Sequence, residues 1–529
     1  MGPLSESKGN AETLPSVWIV PYSFPSHVKC FLQFAKLLAS HKMRVTFLCI
    51  KGDVESLGLH AMLESWRSEG LEIQLRDLEI QEPNSCDRRL WVVQQQEARF
   101  DIILQTELRL GLSKPTVVIS DFWLPGIHES AVKWSIPAWV FSILSLGYTG
   151  SAVYLSQLQS KGILKLPASP SDTDSQEHIS LPGLPLLPIR ELDALSAFSG
   201  HVFYPLGRRN GLALPKSEVV ILSTFKELEP RGFRELELLL HNAAVNLKDK
   251  RNLKTGDIYT VGPIFPLTAP GARSTGSDSY GQERHPCLKF LDGQRDSSVL
   301  FVAFGTSWHL APEQMQEIAL GLECSEQPFL CAFHLAVKTA QYPTGNIFDV
   351  IPPDCVIRTK ERGLFVEGWV PQLQILNHPA VGGFLSHCGH NSVLESLSMG
   401  VPLLAWPSFV DQMMNARYAV EEIQVGLQIT KDQLGEELVD RKEVERKTRS
   451  LFHSEEGKAA RKNARQIREL ALQTVAENGS SYMNVQALIA RIRVGSVIRL
   501  MTVMSSTKYL SCEVAGMAAD NEARTEKST

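Results

Sequence analysis

Apolar positions in the first half of the chain switch repeatedly between two periods. Ser16–Val20 (SVWIV) is a short continuous apolar run, suited to a strand buried on both faces. Val28, Phe31, Leu32, Ala35 and Leu38 then recur at helical spacing. Arg44–Ile50, Thr116–Ser120 and Ala138–Phe141 repeat the strand pattern, and Pro125 marks a helix start between the last two. The alternation resumes with a strand at Val299–Phe304, a helix at Pro312–Cys324 and a strand at Val381–Ser386. A short helical run at Asn391–Met399, stopped by Gly400, leads to a last apolar strand at Val401–Trp406. Strands alternating with helices predict parallel sheets joined by right-handed crossovers.

A chain of 529 residues is too long for one core. The stretch from Leu267 to His285 is rich in Gly, Ser, Thr and Pro and breaks the periodicity. The expected organisation is therefore an α/β domain over residues 1–265, a linker over 266–285 and a second α/β domain over 286–493. Both domains should be doubly wound and face a cleft. Asp440–Leu470 is helical by pattern and crowded with charge, which reads as a solvated helix face. From Val494 to Thr529 the period is lost, and a disordered tail is expected.

Composition narrows the class. The share of hydrophobic residues, 43%, is that of a soluble globular protein, and a net charge of -5 gives no electrostatic ground for nucleic acid or anionic membrane as partner. Nine scattered cysteines without a CxxC pair suit free thiols in a reducing compartment. The N-terminus lacks the features of a signal peptide, and no run of about 18 apolar residues occurs to span a membrane. A cytoplasmic enzyme is expected.

The densest chemistry lies between Trp369 and Gln412. A strand ends in His387-Cys388-Gly389 and a helix begins near Asn391, an arrangement that favours an anion at the helix N-terminus. His387 and Ser392 flank that point and can donate to phosphate oxygens. Asn391 is suited to capping the helix. Glu395, one turn on, can accept two vicinal hydroxyls such as those of a ribose. Trp369, in an extended segment ahead of Pro371, can stack on a planar base or serve as a core aromatic. Asp411-Gln412, just past a strand end, can bind sugar hydroxyls or cap a helix.

Taken together, W-x-PQ, GGF-x-x-HCG, NS-x-x-E, GVP-x-x-x-WP and DQ resemble the signature box of plant-type uridine-diphosphate-sugar glycosyltransferases. The resemblance extends over roughly residues 15–490, through VGPIFP, PCLKFLDGQ with Asp292, VAFGTSW and STFKELEP with Glu229. It implies a GT-B fold of two Rossmann-like domains and a transferase that needs no metal and no cofactor beyond its UDP-sugar donor. Carried over by position, Trp369 stacks on uracil and Val370 meets its edge through the backbone. Gln372 and Glu395 hold the ribose, while His387, Asn391, Ser392 and Thr306 hold the diphosphate. Asp411 and Gln412 bind the sugar, and the terminal Gln suggests glucose. One position departs: HCGHNS stands where members of the family read HCGWNS, so His390, polar and titratable, lies beside the hexose. That leaves a pentose, galactose or glucuronic acid donor open.

In the first domain, His27 opens the helix after the first strand, beyond that strand's C-terminal end. A helix start disfavours positive charge, which suits a histidine acting as base. Most histidines at helix starts are structural; the resemblance implies that this one is catalytic, although Ser26 replaces the Gly usual before it. Asp121 follows the Thr116–Ser120 strand, where the resemblance implies the partner that orients His27. Phe24, Trp123 and Phe141 lie near these positions and are candidate aromatic walls for a flat, hydroxylated small molecule such as a flavonoid or other phenolic. The expected reaction is inverting transfer of a hexose to a hydroxyl, or to a carboxylate. A sugar-nucleotide epimerase and a non-catalytic sugar-nucleotide-binding protein stand as alternatives.

Overall fold

The structure is a computed structural model. It describes residues 14–80, 88–112, 114–162, 178–185, 187–188, 203–246, 257–267, 284–305, 310–334, 345–408, 411–429 and 438–497. The first sheet contains β1 (Ser16–Val20), β2 (Arg44–Cys49), β3 (Ile73–Asp77), β4 (Val117–Asp121), β5 (Ala138–Ser142), β6 (Val219–Leu222) and β7 (Asp257–Thr260). Its order is β3-β2-β1-β4-β5-β6-β7, with every pairing parallel. The second contains β8 (Val299–Ala303), β9 (Phe329–Phe333), β10 (Gly363–Glu367), β11 (Val381–Ser386), β12 (Leu403–Ala405) and β13 (Gly426–Gln428). Its order is β10-β9-β8-β11-β12-β13, again all parallel.

Counted within its own domain, each sheet begins 3-2-1-4-5-6, the doubly wound order that opens a crevice between strands 1 and 4. Continuous apolar runs become strands covered on both faces: every residue of β4, β5, β6, β8 and β11 is buried. Helix α1 (Pro25–Ser40) follows β1 and turns Val28, Phe31, Leu32, Ala35 and Leu38 onto the sheet, as their spacing predicts. Phe34 joins them, and Phe31 and Phe34 pack on Phe141 with ring centroids 4.8 and 4.7 Å away. Phe141 is thus wholly buried core and no wall of a pocket. In the second domain, α2 (His390–Ser398) follows β11.

The charged stretch after residue 440 forms two helices, Arg441–His453 and Glu455–Val475, each with its own cap. Asp440 accepts from the Glu443 N–H (2.9 Å), and Ser454, at the break, from that of Gly457 (3.1 Å). A further helix, α3 (480–497), leaves the second domain and lies on the first. Val485, Leu488, Ile489 and Ile492 are buried in the core that contains Val17, Phe34 and Phe47. Ser481 Oγ donates to the Gly262 carbonyl (2.6 Å) and Asn484 Nδ2 to that of Thr260 (2.9 Å). The chain from residue 480 therefore completes the first domain, and Val494–Val497 are helical rather than the start of a tail. The spacing of four apolar residues on one helix shows a buried face but not which domain receives it. Residues 498–529 and nearly all of the expected linker lie outside the described residues.

Candidate active site

In the first domain β1 and β4 are neighbours, with Val20 paired to Ser120, so the residues beyond both ends face one crevice. Asp121 is the last residue of β4, and the strand runs one position further than its apolar pattern. His27 is the third residue of α1, whose start has Pro25 at its first position and no side-chain cap. Their side chains meet, Nδ1 of His27 lying 2.7 Å from Oδ2 of Asp121. Oδ1 of Asp121 accepts the Trp123 N–H at 3.0 Å. Both carboxylate oxygens are engaged inside a buried pocket, which holds the imidazole at the wall of the cleft. Tyr22 and Phe24 set ring edges against the imidazole at 5.4 and 6.0 Å.

The second domain repeats the crevice with different chemistry. Ala303 pairs with Ser386, and Gly305 and His387 stand just beyond those two strand ends. Gly305 has φ +73°, and a Cβ there would lie 2.7 Å from the His387 ring, so glycine is required both for the backbone and for the approach. Burial pushes the His387 imidazole down to about 4, so it is neutral, and its Nδ1 has no hydrogen-bond partner. Thr306 lies outside the described residues.

Helix α2 begins with Gly389 as a cap that makes no side-chain bond. Asn391 therefore does not cap the helix; it stands one position inside, and its Nδ2 donates across the cleft to the Ser26 carbonyl (3.3 Å). Ser392 and Glu395 are joined by Gln372, whose Nε2 donates to Glu395 Oε2 (2.7 Å) and Ser392 Oγ (3.2 Å). Burial raises the Glu395 carboxyl to about 7, opposed by the Gln372 bond and the charge of Lys29. Trp369 keeps 61% of its surface exposed, leaving an indole face accessible. The adjacent Val370 also lines the cleft.

His390 is buried at the first position of α2, and burial pushes its imidazole down to about 4 as well. Its Nε2 is buried without a partner. Its backbone N–H bonds the Asp411 carboxylate, which also accepts from Asn415 Nδ2 at 2.7 Å. Burial is the main influence on Asp411 and raises its carboxyl. Gln412 Oε1 accepts the Ser408 N–H at 3.1 Å.

These two halves enclose one cavity of about 830 Å³. It is lined by His27, Trp369, Val370, Gln372, His387, His390, Asn391, Ser392, Glu395, Asp411 and Gln412, with Asp121 behind His27. Phe24 and Trp123 line it, as expected of aromatic walls. Among the lining residues that the sequence reading did not single out are Tyr22, Leu144 and Lys29. Tyr22 sits in the loop after β1, where strand-end logic reaches it. Lys29 is one polar position on an amphipathic helix, indistinguishable by pattern from any solvent-facing lysine. Two motif residues outside the cavity are structural. Buried Glu229 accepts the Gly147 N–H (3.0 Å) at the start of helix Leu146–Ser160, and Asp292 meets His378 Nε2 at 3.2 Å.

Known proteins share this architecture. The family described as UDP-glucoronosyl and UDP-glucosyl transferase matches residues 276–437. UDP-glycosyltransferase 72B1 of Arabidopsis thaliana is 30% identical over 489 residues, which cover 88% of this chain and 94% of that protein. Phloretin 2'-O-glucosyltransferase of Pyrus communis is 36% identical over 287 residues, 53% of this chain and 57% of that one. The solved structure of Phytolacca americana UGT2, complexed with UDP-2fluoro-glucose and pterostilbene, superposes with a TM-score of 0.71 at 26% identity, covering 90% of this chain and 100% of that one. With two Rossmann-like domains in the GT-B arrangement and a relative matched over nearly its whole length, the chain belongs to the UDP-glycosyltransferase family.

Proposed function

We propose that this enzyme transfers a hexose, glucose before others, from a UDP-sugar to a hydroxyl of a small apolar acceptor such as a flavonoid or other phenolic, with inversion. The observation that carries the reading is the buried His27–Asp121 pair, 2.7 Å apart, opening into the same cavity as Asp411 and Gln412. The acceptor hydroxyl gives its proton to His27 Nε2 as its oxygen bonds the anomeric carbon. Asp121 stabilises the imidazolium that forms. The bond from that carbon to UDP breaks on the opposite face, so an α-linked donor yields a β-glycoside without a covalent sugar–enzyme intermediate.

On the donor side, uracil stacks on Trp369 beside Val370, and Gln372 and Glu395 take the ribose. The diphosphate meets the N-terminus of α2 with His387, Asn391, Ser392 and Thr306. Asp411 and Gln412 hold the sugar hydroxyls. His390 stands at the same end, and its buried, unpartnered Nε2 suits a hydrogen bond with a sugar substituent. In this reading protein groups alone meet the charge of the leaving UDP, and neither metal nor prosthetic group takes part.

The acceptor class is supported by the aromatic lining Tyr22, Phe24 and Trp123, and by relatives named for phloretin glucosylation or crystallised with pterostilbene. The seven described cysteines are free thiols, which supports a reducing compartment, the cytosol. Among the described residues no helix is long and apolar enough to cross a membrane.

The test is UDP release from a panel of UDP-sugars with phenolic, terpenoid and carboxylic acceptors, for the parent and His27→Ala. Acceptor-dependent release, fastest with UDP-glucose and a phenolic, and lost by roughly 10²–10⁴-fold in the variant, is expected. Unchanged turnover in the variant would sink the assignment of His27, and product from UDP-sugar alone would point to an epimerase.

A further inference from the structure

The cavity that is to receive a diphosphate is poorly furnished with positive charge. Among the described residues that line it, Lys29 is the only lysine or arginine, whereas two carboxylates, Glu395 and Asp411, face in. Among the described residues three second-domain histidines also line it, His334, His387 and His390, and burial holds the last two neutral. The N-terminus of α2 carries only about half a unit charge, against a multiply charged ligand.

Lys29 is placed to make up the difference. It projects from α1 of the first domain, yet its Nζ lies over the Trp369 indole of the second, 3.4 Å from the ring centroid. It also feels the charge of Glu395, the ribose carboxylate. So in the free enzyme the ammonium rests where the nucleoside half of the donor is to sit, held by an aromatic face and an acid. It is not far from the anion end. Asn391, in the first turn of α2, donates to the Ser26 carbonyl, and Ser26 lies one helical turn before Lys29 on α1. The first turns of the two helices are thus apposed across the cleft, with Lys29 beside the point of contact. The desolvation it meets between the domains lowers its pKa, which makes a nearby anion the more welcome.

We propose that Lys29 is the cation of the donor site: uracil displaces its ammonium from Trp369, and the flexible side chain swings to the diphosphate. A lysine suits this exchange, being a point charge on a four-carbon stem rather than a planar fork locked in one geometry. The inference rests on the UDP-sugar reading of the cavity and adds to it a first-domain residue that closes the site over its donor.

The experiment is calorimetric binding of UDP and of uridine, side by side, to the parent, Lys29→Met and Lys29→Arg. Uridine keeps base and ribose and lacks the phosphates. The parent should prefer UDP, Lys29→Met should reduce that preference about tenfold, and Lys29→Arg should restore most of it. The parent's preference should also shrink with added salt more steeply than that of Lys29→Met. An equal change in both affinities in Lys29→Met, leaving the UDP-to-uridine ratio as in the parent, would overturn the proposal. A parent that binds neither compound would instead overturn the donor-site reading beneath it.

Discussion

Each domain of this transferase sets a histidine at the crevice between its strands 1 and 4, and the two histidines are prepared for opposite work. His27, in the first domain, has a carboxylate 2.7 Å behind it and two aromatic edges beside it. His387, in the second, has no partner on Nδ1 and is packed against two glycines, Gly305 and Gly389. One ring is the base of the proposed transfer, with the carboxylate of Asp121 behind it. The other is kept neutral by burial, at a helix N-terminus that prefers anions. The sheet order is the same; the division of labour comes from what stands at the end of the neighbouring strand. An aspartate there pairs with the ring, and a glycine with a left-handed backbone lets the ring approach the main chain.

The comparison can be broken most forcefully at Asp121. Asp121→Asn keeps the shape and removes the charge, so turnover should fall roughly 10²–10⁴-fold while UDP still binds. Initial rates beside calorimetric UDP affinity check this; a matching loss of affinity would show that the pair shapes the donor site rather than activating the acceptor. A smaller effect is expected at Gly305. Gly305→Ala forces a Cβ onto the His387 ring at positive φ, which should weaken UDP binding about tenfold, equivalent to roughly 1.4 kcal/mol. His27 chemistry, read as kcat at saturating donor, should suffer less.

The smallest effect is a pH dependence confined to the second domain. In the proposed donor site the ionised Glu395 is the form that accepts ribose hydroxyls, and burial raises its carboxyl to about 7. Uridine affinity should therefore rise between pH 6 and pH 8, by at most about tenfold, and Glu395→Gln should flatten the profile. Folding stability runs the other way. A carboxyl raised in the folded state contributes most below its unfolded value of about 4.5, and that contribution is lost as pH climbs toward 7. Opposite slopes in binding and in thermal midpoint would tie both to this one group.

Much of this was legible in the residues. Continuous apolar strands and one helix with apolar residues at helical spacing were enough for two parallel sheets, and the motif between Trp369 and Gln412 named the residues of that stretch that the fold gathers around one cavity. What escaped depends on contacts between distant segments. Asn391 looked like a cap because Asn often is one, but Gly389 holds that place and the amide reaches Ser26 in the other domain. Phe141 pairs with Asp121 at the strand end, yet side chains alternate across a sheet, and its ring points to the α1 side with Phe31 and Phe34. Lys29 gave no local signal, since its meaning lies in Trp369, 340 positions away in the chain.

The return of α3 to the first domain has a mechanical consequence. The chain enters α3 from the second domain and buries Val485, Leu488, Ile489 and Ile492 in the first, so pulling the domains apart at this end strips apolar surface from the first-domain core.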